Sequence, residues 1–395
     1  MQFPFLMNIL YIGAFPPAFL VERTLGKIDS LYRASEALIN GFRSIDEVHL
    51  KVITSPDVFR YPHGPLFIKH EENKKEDVTV VSMLNLPIIK QWWSIRTLLG
   101  EAKKYLRAIE GPVVVIIPYV VLRHATVLTK LYRLFPDKVV RACIVPDIFF
   151  PKSRRGRRSN DKAERLVSKF DCFVLYTAKM AEKLNVSPEK CIVIEGFREV
   201  SLRKPTPSDR FRVVYAGSLN RMYGISRLLE ATTLITDPEV EFHFYGGGNA
   251  EEDIRKASQE DNRIKYHGRV PNAEAVDAIY AASVLVNPRN SYDGKYTEYS
   301  FPSKDIEYMA TGIPTLLCKL PGMPQEYYNH FIDIGEGSSE QIAEAIISVK
   351  NMSQEERDVI GQDSRNFIIE RMNIQRQAET MVNLFQKIIN DNTQK

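Results

Sequence analysis

Short apolar runs alternate with longer amphipathic stretches along the first 200 residues of the chain. The apolar runs predict strands at residues 8–12, 48–53, 78–83, 113–118, 139–145, 172–176 and 191–194. The amphipathic stretches predict helices at residues 30–44, 88–109, 122–134 and 178–184. Strands that alternate with helices are typical of βαβ units, which build a parallel sheet covered by helices on both faces.

The second half of the chain repeats this pattern after a polar segment with two prolines, residues 198–210, which predicts a linker. Strands are predicted at residues 212–216, 241–245, 264–267, 283–287, 315–318 and 330–334. Helices are predicted at residues 225–235, 250–257, 274–281, 302–311 and 340–349, and in a tail, 353–390, that breaks near Asn373. We therefore expect an α/β protein with two doubly wound, Rossmann-like parallel-sheet domains that face a cleft.

Residues 300–315, SFPSKDIEYMATGIPT, contain the strongest functional signal. Pro302 suits the first position of a helix, and Gly312 suits the residue just past its end. Phe301 is a poor N-cap, and Lys304 would face the positive end of the helix dipole, so the segment predicts a bound anion such as a diphosphate. The alternative is an ordinary crossover helix with a solvated lysine.

The same segment resembles the donor site of retaining glycosyltransferases of glycosyltransferase family 4, which have the GT-B fold. A sub-group of that family carries Phe-Pro-Ser-Lys before a helical Glu-Tyr, as this chain does. The resemblance implies that Glu307 binds the ribose of a sugar nucleotide and that Ser303 and Lys304 bind its diphosphate. The first of two glutamates expected in this family falls on Tyr299, which is a departure from the pattern.

Residues 216–224, which follow a predicted strand, also belong to the implied donor site, because ligands of parallel sheets bind at the carboxyl ends of the strands. Similar enzymes place an arginine and a lysine in this loop, where the chain has Ser218 and Tyr223. Arg221 is then the nearby cation that could bind the diphosphate, since a guanidinium suits phosphate oxygens. The alternative is that Arg221 is an ordinary surface residue.

Three further loop residues are implied by the resemblance. Gly247, in a glycine triplet after a predicted strand, permits close approach of the backbone to a ligand. Val270 lies in the loop expected to run along the nucleobase, and Gly13 lies in the loop expected to pack under the diphosphate. The glycine triplet alone is a weak signal, and Gly13 could simply form a turn.

Asp147 and the basic segment that follows it predict an acceptor site. Asp147 lies just past a predicted strand, where related sequences place a histidine or aspartate beside the acceptor, although a loop or capping aspartate is an equal alternative. Residues 152–158 predict a lid-like loop that binds an anionic acceptor or a membrane surface. Its cations are Lys152, Arg154, Arg155, Arg157 and Arg158.

Composition indicates an ordinary globular protein of 395 residues, with 44% hydrophobic and 26% charged residues. No apolar run approaches the ~18 residues that span a bilayer, and the four cysteines have no metal-binding or redox spacing. Residues 1–200 hold 31 Lys and Arg against 21 Asp and Glu, whereas residues 201–395 hold 22 against 28. This asymmetry predicts separate tasks for the two halves.

We therefore expect an acceptor-binding domain at residues 1–200, a nucleotide-sugar-binding domain at 201–372, and a final helix at 373–395 that crosses back to the first domain. The expected activity is retaining, metal-independent transfer of a hexose-type sugar from a nucleotide-diphosphate sugar, without another cofactor. The acceptor would be a glycan or lipid-linked glycan, in polysaccharide or cell-envelope synthesis. We expect a cytoplasmic protein, peripheral at the inner face of the cell membrane, that binds no nucleic acid.

Two alternatives remain open at this stage. The first is a catalytically inactive binding or regulatory subunit on the same fold, which Tyr299, Ser218 and Tyr223 favour because they replace expected functional residues. The second, weaker alternative is a sugar-nucleotide epimerase, which would leave the basic first half without a role.

Overall fold

The computed structural model describes residues 6–13, 15, 30–56, 58–59, 61–87, 89–118, 120–148, 153–206 and 208–393. The chain divides into two compact units. The first unit consists of residues 1–199 together with 373–395, and the second consists of residues 200–372. Each unit has its own parallel sheet and its own hydrophobic core.

Ten described strands belong to the first unit: β1 (Met7–Gly13), β2 (Val48–Thr54), β3 (Phe67–Ile68), β4 (Glu71–Asn73), β5 (Val78–Val80), β6 (Met83–Leu84), β7 (Val113–Ile117), β8 (Val139–Val145), β9 (Cys172–Leu175) and β10 (Cys191–Val193). Eight of them form one sheet in the order β10-β9-β8-β7-β1-β2-β5-β4. All neighbours in this sheet are parallel except β4 and β5. Every residue of β7 is buried, as expected for a central strand covered on both faces.

The strand predicted at residues 78–83 is wrong in one respect, because the structure divides it. β5 ends at Val80, and β6 leaves the large sheet to pair with β3 in a separate antiparallel ladder. β3 and β4 were not predicted, since strands of two or three residues have too few positions to show alternation. The antiparallel β4 also limits the parallel arrangement to the other seven strands of the sheet.

The described helices that connect these strands are α1 (Ser30–Arg43), α2 (Ile89–Ala108), α3 (Leu122–Leu134), α4 (Arg154–Val167) and α5 (Lys179–Leu184). Helix α3 packs against α2 on one side and against α4 on the other. The lid-like loop predicted at residues 152–158 is wrong for Arg154, Arg155, Arg157 and Arg158, which form the first turns of α4. Ser153 caps this helix by accepting a hydrogen bond from the Gly156 amide at 3.0 Å, and Lys152 lies outside the described residues.

The described residues of the second unit form six strands, β11 (Phe211–Ser218), β12 (Val240–Gly247), β13 (Ile264–Gly268), β14 (Val284–Asn287), β15 (Thr315–Leu317) and β16 (Ile332–Asp333). They form one sheet in the order β13-β12-β11-β14-β15-β16, and all neighbours are parallel. Phe242 and Phe244 are buried on one face of this sheet, where they pack with the helices of the unit's main core.

The helices of the second unit are α6 (Ile225–Leu234), α7 (Glu251–Glu260), α8 (Asn272–Tyr280), α9 (Ser303–Met309), α10 (Ser339–Asn351) and α11 (Gln354–Arg371). Capping boxes start α10 and α11: Ser338 pairs with Gln341, and Ser353 pairs with Glu356. The predicted helix at residues 302–311 is shorter in the structure. Pro302 is the N-cap rather than the first helical residue, with ψ at 121°, and the helix ends at Met309.

Helix α12 (Ile374–Thr393) follows the second unit in the chain but belongs to the first. As predicted, the tail is two helices, with the break at Asn373. Buried residues of α12, including Met381 and Phe385, share a core with Phe42 of α1 and with Ile9 and Tyr11 of β1. The first unit is therefore built from two separate segments of the chain.

The order of the strands places a switch point in each sheet. In the second unit the chain proceeds from β11 outward through β12 and β13, and then returns to β14 on the other side of β11. In the first unit the same reversal separates β1 from β7. Connections leave the sheet in opposite directions at such points, which opens a crevice at the carboxyl ends of the strands where ligands of these folds bind.

Two helix glycines provide a matched test of packing in this fold. A Cβ atom at Gly361 of α11 would overlap the carbonyl oxygen of Gly312, whereas a Cβ atom at Gly100 of α2 meets nothing within 4 Å. Alanine is intrinsically better than glycine inside a helix by about 0.5–1 kcal/mol. We expect Gly100→Ala to raise the free energy of unfolding by up to about 1 kcal/mol, and Gly361→Ala to lower it. Denaturant unfolding of both variants measures this, and equal stabilisation would contradict the close approach at Gly312.

Candidate functional site

The end of β11 is bound to α9 through the backbone of Ala216. The hydroxyl of Tyr308, a fully buried residue, accepts a hydrogen bond from the Ala216 amide at 2.8 Å and lies 3.3 Å from the Ala216 carbonyl oxygen. Nζ of Lys304 donates a hydrogen bond to the same carbonyl oxygen. These contacts fix the first turn of α9 against the switch point of the second sheet.

Lys304 occupies space that is open only because residue 217 is glycine. A Cβ atom at Gly217 would overlap Nζ of Lys304. The backbone there has a φ of +152°, which residues other than glycine rarely adopt. Nζ also lies 4.8 Å from the ring centroid of Tyr215 and 5.5 Å from that of Tyr308. The ammonium group is thus held over two aromatic faces at the carboxyl end of β11.

Arg289, two residues past the end of β14, is a second cation at this switch point. Its guanidinium carbon lies 4.9 Å from the ring centroid of Tyr223 and 4.4 Å from that of Tyr296. Its Nε is buried and has no hydrogen-bond partner among the residues that the structure describes. A buried donor without a partner is costly, so Arg289 is a candidate anion-binding residue.

Arg289 was not predicted from the sequence. One signal was available, because residue 289 follows the predicted strand at 283–287 and so lies at the carboxyl edge of the sheet. Tyr223, which replaces the lysine expected from the family resemblance, contacts this arginine. A cation therefore reaches the vicinity of residue 223 from another part of the chain.

A buried carboxyl group lies beside both cations. Asp305, in the first turn of α9, is 1% exposed, and its Oδ1 accepts a hydrogen bond of 2.5 Å from Nδ2 of Asn287 at the end of β14. Burial raises the pKa of Asp305 to about 7, although the Asn287 bond and the charges of Arg289 and Lys304 oppose this rise. Asp305 therefore titrates near neutral pH and links the ends of β14 and α9.

Arg221, which was predicted to bind the diphosphate, has a different set of contacts. Its Nε and its terminal amine donate to the two carboxylate oxygens of Asp253 at 2.8 and 2.9 Å. Its backbone amide donates to the side chain of Asn249 at 2.8 Å. The guanidinium is thus directed toward α7, which carries Asp253, and half of it remains exposed.

The remaining predicted donor residues of the second unit lie at or near the carboxyl edge of its sheet. Ser303 is the exposed first residue of α9, and Glu307 follows it by about one turn and is half-buried. Gly247 ends β12, and a Cβ atom there would overlap Nε of Arg269. Val270, just after β13, packs against the core on the α8 side of the sheet.

His267 belongs to a stack of aromatic rings and not to the predicted donor residues. Its imidazole is parallel to the ring of Tyr245 at 4.1 Å, and its Nε2 lies 3.0 Å from Nδ1 of His243. Burial lowers the pKa of His267 to about 4, with a further contribution from His243. His267 is therefore neutral at physiological pH, which suits a packing role at the edge of the sheet.

Two of the predicted site residues in the first unit, Gly13 and Asp147, lie past the ends of its strands or at them. Gly13 ends β1 at the switch point, where a Cβ atom would overlap the ring of Pro118 just past β7. Asp147 is exposed and lies two residues past β8, as expected from the sequence, and its Oδ1 accepts a hydrogen bond from the Ile148 amide at 2.8 Å. Both residues are at the carboxyl edge of their sheet, where a ligand of this unit would bind.

Residues 198–367, nearly the whole second unit, match the family model described as glycosyl transferases group 1. This part of the chain is a glycosyltransferase domain. No curated protein sequence matches the glycosyltransferase at a significant level. The match coincides with the unit that holds Lys304, Glu307 and Arg289, which is consistent with a nucleotide-sugar site at its switch point.

Solved structures share the fold of this glycosyltransferase over almost its whole length. Sucrose-phosphate synthase from Thermosynechococcus elongatus is 16% identical, with a TM-score of 0.68, and the match covers 97% of this chain and 100% of that one. HepE from Anabaena, in complex with UDP, is 15% identical, with a TM-score of 0.66 and coverage of 96% and 100%. The catalytic domain of starch synthase IV from Arabidopsis thaliana, bound to ADP and acarbose, is 10% identical, with a TM-score of 0.66 and coverage of 97% and 99%. The predicted fold class, GT-B with two Rossmann-like domains, is confirmed.

The raised pKa of Asp305 predicts a specific dependence of stability on pH. Between about pH 4 and 7 the unfolded chain releases this proton and the folded protein keeps it, so the free energy of unfolding falls as pH rises. Above pH 7 the loss is constant, at about 4 kcal/mol at most, since a pKa difference of one unit corresponds to about 1.36 kcal/mol. We expect Asp305→Asn to be more stable than the wild type above pH 7 and equally stable near pH 4, as measured by denaturant unfolding.

The matched control is Asp358→Asn, on the exposed side of α11 in the same unit. It should leave the pH profile of the wild type unchanged. A profile of Asp305→Asn that runs parallel to the wild type from pH 4 to 8 would contradict the assignment of a buried, protonated Asp305.

Proposed function

We propose that this glycosyltransferase is a retaining, metal-independent enzyme that transfers a hexose-type sugar from a nucleotide-diphosphate sugar to a glycan or lipid-linked glycan. Polysaccharide or cell-envelope glycan synthesis is the process that such an activity would serve. One observation carries the donor part of the proposal. Lys304 and Arg289 come from different elements, and both of their charges act on Asp305 at the switch point of the second unit.

The donor diphosphate would bind to these cations. Lys304 holds its ammonium group at the end of β11, and Arg289 holds a guanidinium beside two tyrosine rings, with its Nε buried and without a hydrogen-bond partner in the described residues. Fixed positive charge at a leaving group stabilises the charge that develops in the transition state, and such groups are most effective when they are already oriented. Glu307, one turn into α9, would bind the ribose hydroxyls.

Arg221 and Arg289 are alternative candidates for the second contact to the diphosphate. Arg221 was the candidate from the sequence, but its guanidinium already forms two hydrogen bonds with Asp253. A phosphate would have to displace this carboxylate or share the group with it. Arg289 has no such competitor at Nε within the described residues, so we favour Arg289 over Arg221.

In the proposed reaction the bond between the anomeric carbon and the diphosphate oxygen breaks, and the diphosphate leaves toward Lys304 and Arg289. The acceptor hydroxyl oxygen forms a bond to the anomeric carbon from the same face, and its proton passes to the leaving phosphate. The configuration of the anomeric carbon is then retained. Asp147 would position the acceptor hydroxyl, and the placement of the reacting groups would supply much of the rate enhancement.

Binding of nucleoside diphosphates tests the donor site directly. We expect Lys304→Ala, Arg289→Ala and Glu307→Gln each to weaken binding by about 1.5–3 kcal/mol, or roughly 10- to 150-fold in Kd, because each removes a hydrogen bond to a charged group. Titration calorimetry with a panel of nucleoside diphosphates measures this. Arg221→Ala should change Kd by less than about threefold.

Lys319→Ala is the control for Lys304→Ala. Like Lys304, Lys319 lies near a tyrosine ring, Tyr328 at 5.5 Å, but it pairs with Asp333 at 2.9 Å and is not at the switch point. Its substitution should leave the Kd for nucleotides unchanged. Unaltered binding in Lys304→Ala and Arg289→Ala, with unchanged melting temperatures, would refute the donor site, and a loss confined to Arg221→Ala would assign the second contact to Arg221.

The catalytic proposal needs a separate experiment, since the departure at Tyr299 is the observation that favours an inactive binding subunit. The purified protein is incubated with a panel of nucleotide sugars and acceptors in the presence of a metal chelator, and released nucleoside diphosphate is measured. We expect diphosphate release that persists with the chelator, and a product with the donor's anomeric configuration by NMR. Tight nucleotide binding without release for any donor would support the inactive subunit.

A further inference from the structure

We propose that one face of the first unit docks onto an anionic lipid bilayer, and that a patch of exposed aromatic and aliphatic side chains at its edge inserts between the lipids. The face consists of the outer sides of α2, α3 and α4, and the patch consists of the start of α2 and the loop before β3. Both are separate from the proposed donor contacts Lys304, Arg289 and Glu307, which belong to the second unit.

Helices α2 and α3 present cations on their outer sides. The buried residues of α2, which include Leu98 and Leu106, face the sheet. Arg96, Lys104 and Arg107 project from the opposite side of this helix. On α3, which packs beside α2, the exposed cations are Lys130 and Arg133.

Helix α4, on the other side of α3, continues this basic face. Arg154, Arg158, Lys162 and Arg165 are exposed and recur at spacings of four, four and three residues, so they form one stripe along the helix. Arg155 lies beside the stripe. The three helices thus place a continuous layer of positive charge on one side of the unit.

Few carboxylates interrupt the layer. On α4, Asp161 is exposed near the stripe, whereas Glu164 is half-buried and accepts from Nζ of Lys183 at 3.4 Å. The exposed outer side of α3 carries no acidic residue, since its sequence contains none. Glu101 of α2 is half-buried, so Asp161 is the one exposed acidic residue of these three helices, and the positive charge is largely uncompensated by them.

The apolar patch adjoins the basic face at the start of α2. Trp92 is 61% exposed and Phe59 is 66% exposed, and Tyr61, Phe67 and Ile89 are also exposed. The guanidinium of Arg96, on the basic face, lies 5.8 Å from the ring centroid of Trp92, so the patch and the face are contiguous. Exposed apolar side chains that cluster in this way are uncommon on a soluble surface and mark an interaction site.

Specific hydrogen bonds hold the patch together. Asn85, which is fully buried, donates from Nδ2 to the carbonyl oxygens of Phe59 and Pro65 at 2.7 and 2.8 Å. Nζ of Lys90 in α2 donates to the carbonyl oxygen of Val58 at 3.1 Å. The loop that carries Phe59 is thereby fastened to the start of α2, so the exposed rings are a preformed part of the surface.

A bilayer is the partner that fits both features. Cations attract the negative surface of a leaflet, and tryptophan and tyrosine prefer the boundary between headgroups and acyl chains. Nucleic acid would use the cations and could stack on rings, but an aliphatic residue such as Ile89 gains nothing from it. No helix in the described part of the chain combines the length and the apolar character that a bilayer crossing requires.

Vesicle binding tests the basic face. The full chain is sedimented with vesicles of phosphatidylcholine alone or with 30% phosphatidylglycerol, at 0.1 and 1 M salt. We expect binding to the anionic vesicles only, and a strong decrease at 1 M salt, where the Debye length falls from ~10 Å to ~3 Å. Substitution of Lys104, Arg107, Lys130 and Arg133 by glutamine should lower the partition coefficient at least about 100-fold.

The control removes the same number of charges from the same unit. Lys74, Lys75, Lys190 and Lys387 are exposed but lie on the turn between β4 and β5, before β10 and on α12. Their substitution by glutamine should change vesicle binding by less than about fivefold. Equal losses in the two variants, or equal binding to both kinds of vesicle, would overturn the assignment of this face.

Tryptophan fluorescence tests insertion of the patch. The chain contains two tryptophans, and Trp93 is half-buried beside Ser82, so Trp93→Phe leaves Trp92 as the reporter. We expect a blue-shifted emission with anionic vesicles and quenching by lipids brominated on the acyl chain. Vesicle binding without quenching would overturn insertion.

Failure of this proposal can be separated from failure of the donor site. The Kd for nucleoside diphosphate should be the same in the glutamine variants and in the wild type, because the substituted residues lie outside the second unit. Retention of a single-stranded RNA but not of anionic vesicles would overturn the bilayer as the partner, as would binding of neither.

Discussion

The carbonyl oxygen of Ala216 is the acceptor on which the organisation of the donor site depends. Lys304 and Tyr308 both contact it, and both side chains belong to α9, which follows β14 in the chain. The contact joins β11 to α9, and the hydrogen bond from Asn287 to Asp305 holds the same helix to the end of β14. Without it, the ammonium group of Lys304 would have no fixed place relative to the end of β11.

The same contact accounts for two unusual features of the site, a glycine within β11 and a buried carboxyl group. Gly217 is required because Lys304 fills the space of a side chain. Asp305 is buried with Asn287 as its partner, and its carboxyl group balances part of the positive charge of Lys304 and Arg289. Two cations and one titratable acid in a small volume give a site whose net charge depends on whether an anion is bound. A diphosphate would convert an electrostatically strained arrangement into a compensated one.

Much of the fold could be predicted from the sequence because its central strands are long apolar runs, such as residues 113–117, and because each is followed by an amphipathic stretch. The basic segment after Asp147 could have been predicted as a helix, since arginine is a good helix former and Ser153 is a good N-cap. Charge density alone favoured a loop, and that inference was wrong. Pro302 was predicted to be the first helical residue, but it is the N-cap. The φ of proline suits both positions.

The site itself could be predicted only where residues follow one another in the family motif, as Lys304 and Glu307 do. Arg289 depends on rings at positions 223 and 296, and the pairing of Arg221 with Asp253 depends on a helix one βα unit later. Such contacts depend on tertiary packing, which periodicity and spacing do not encode. The same limit applies to the apolar patch, where hydrogen bonds from Asn85 and Lys90 hold the loop that carries Phe59.

Helix α12 determines the order in which the two units can complete their folding during translation. The second unit is one continuous segment and is complete once residue 372 has emerged, whereas the first unit awaits Met381 and Phe385 to fill its core. The ribosome therefore starts the first unit before the second, but the first unit completes its fold last. Until α12 has been translated, the apolar side chains of α1 and β1 that it covers remain accessible to chaperones and proteases. The first unit is therefore the more vulnerable part of the nascent chain.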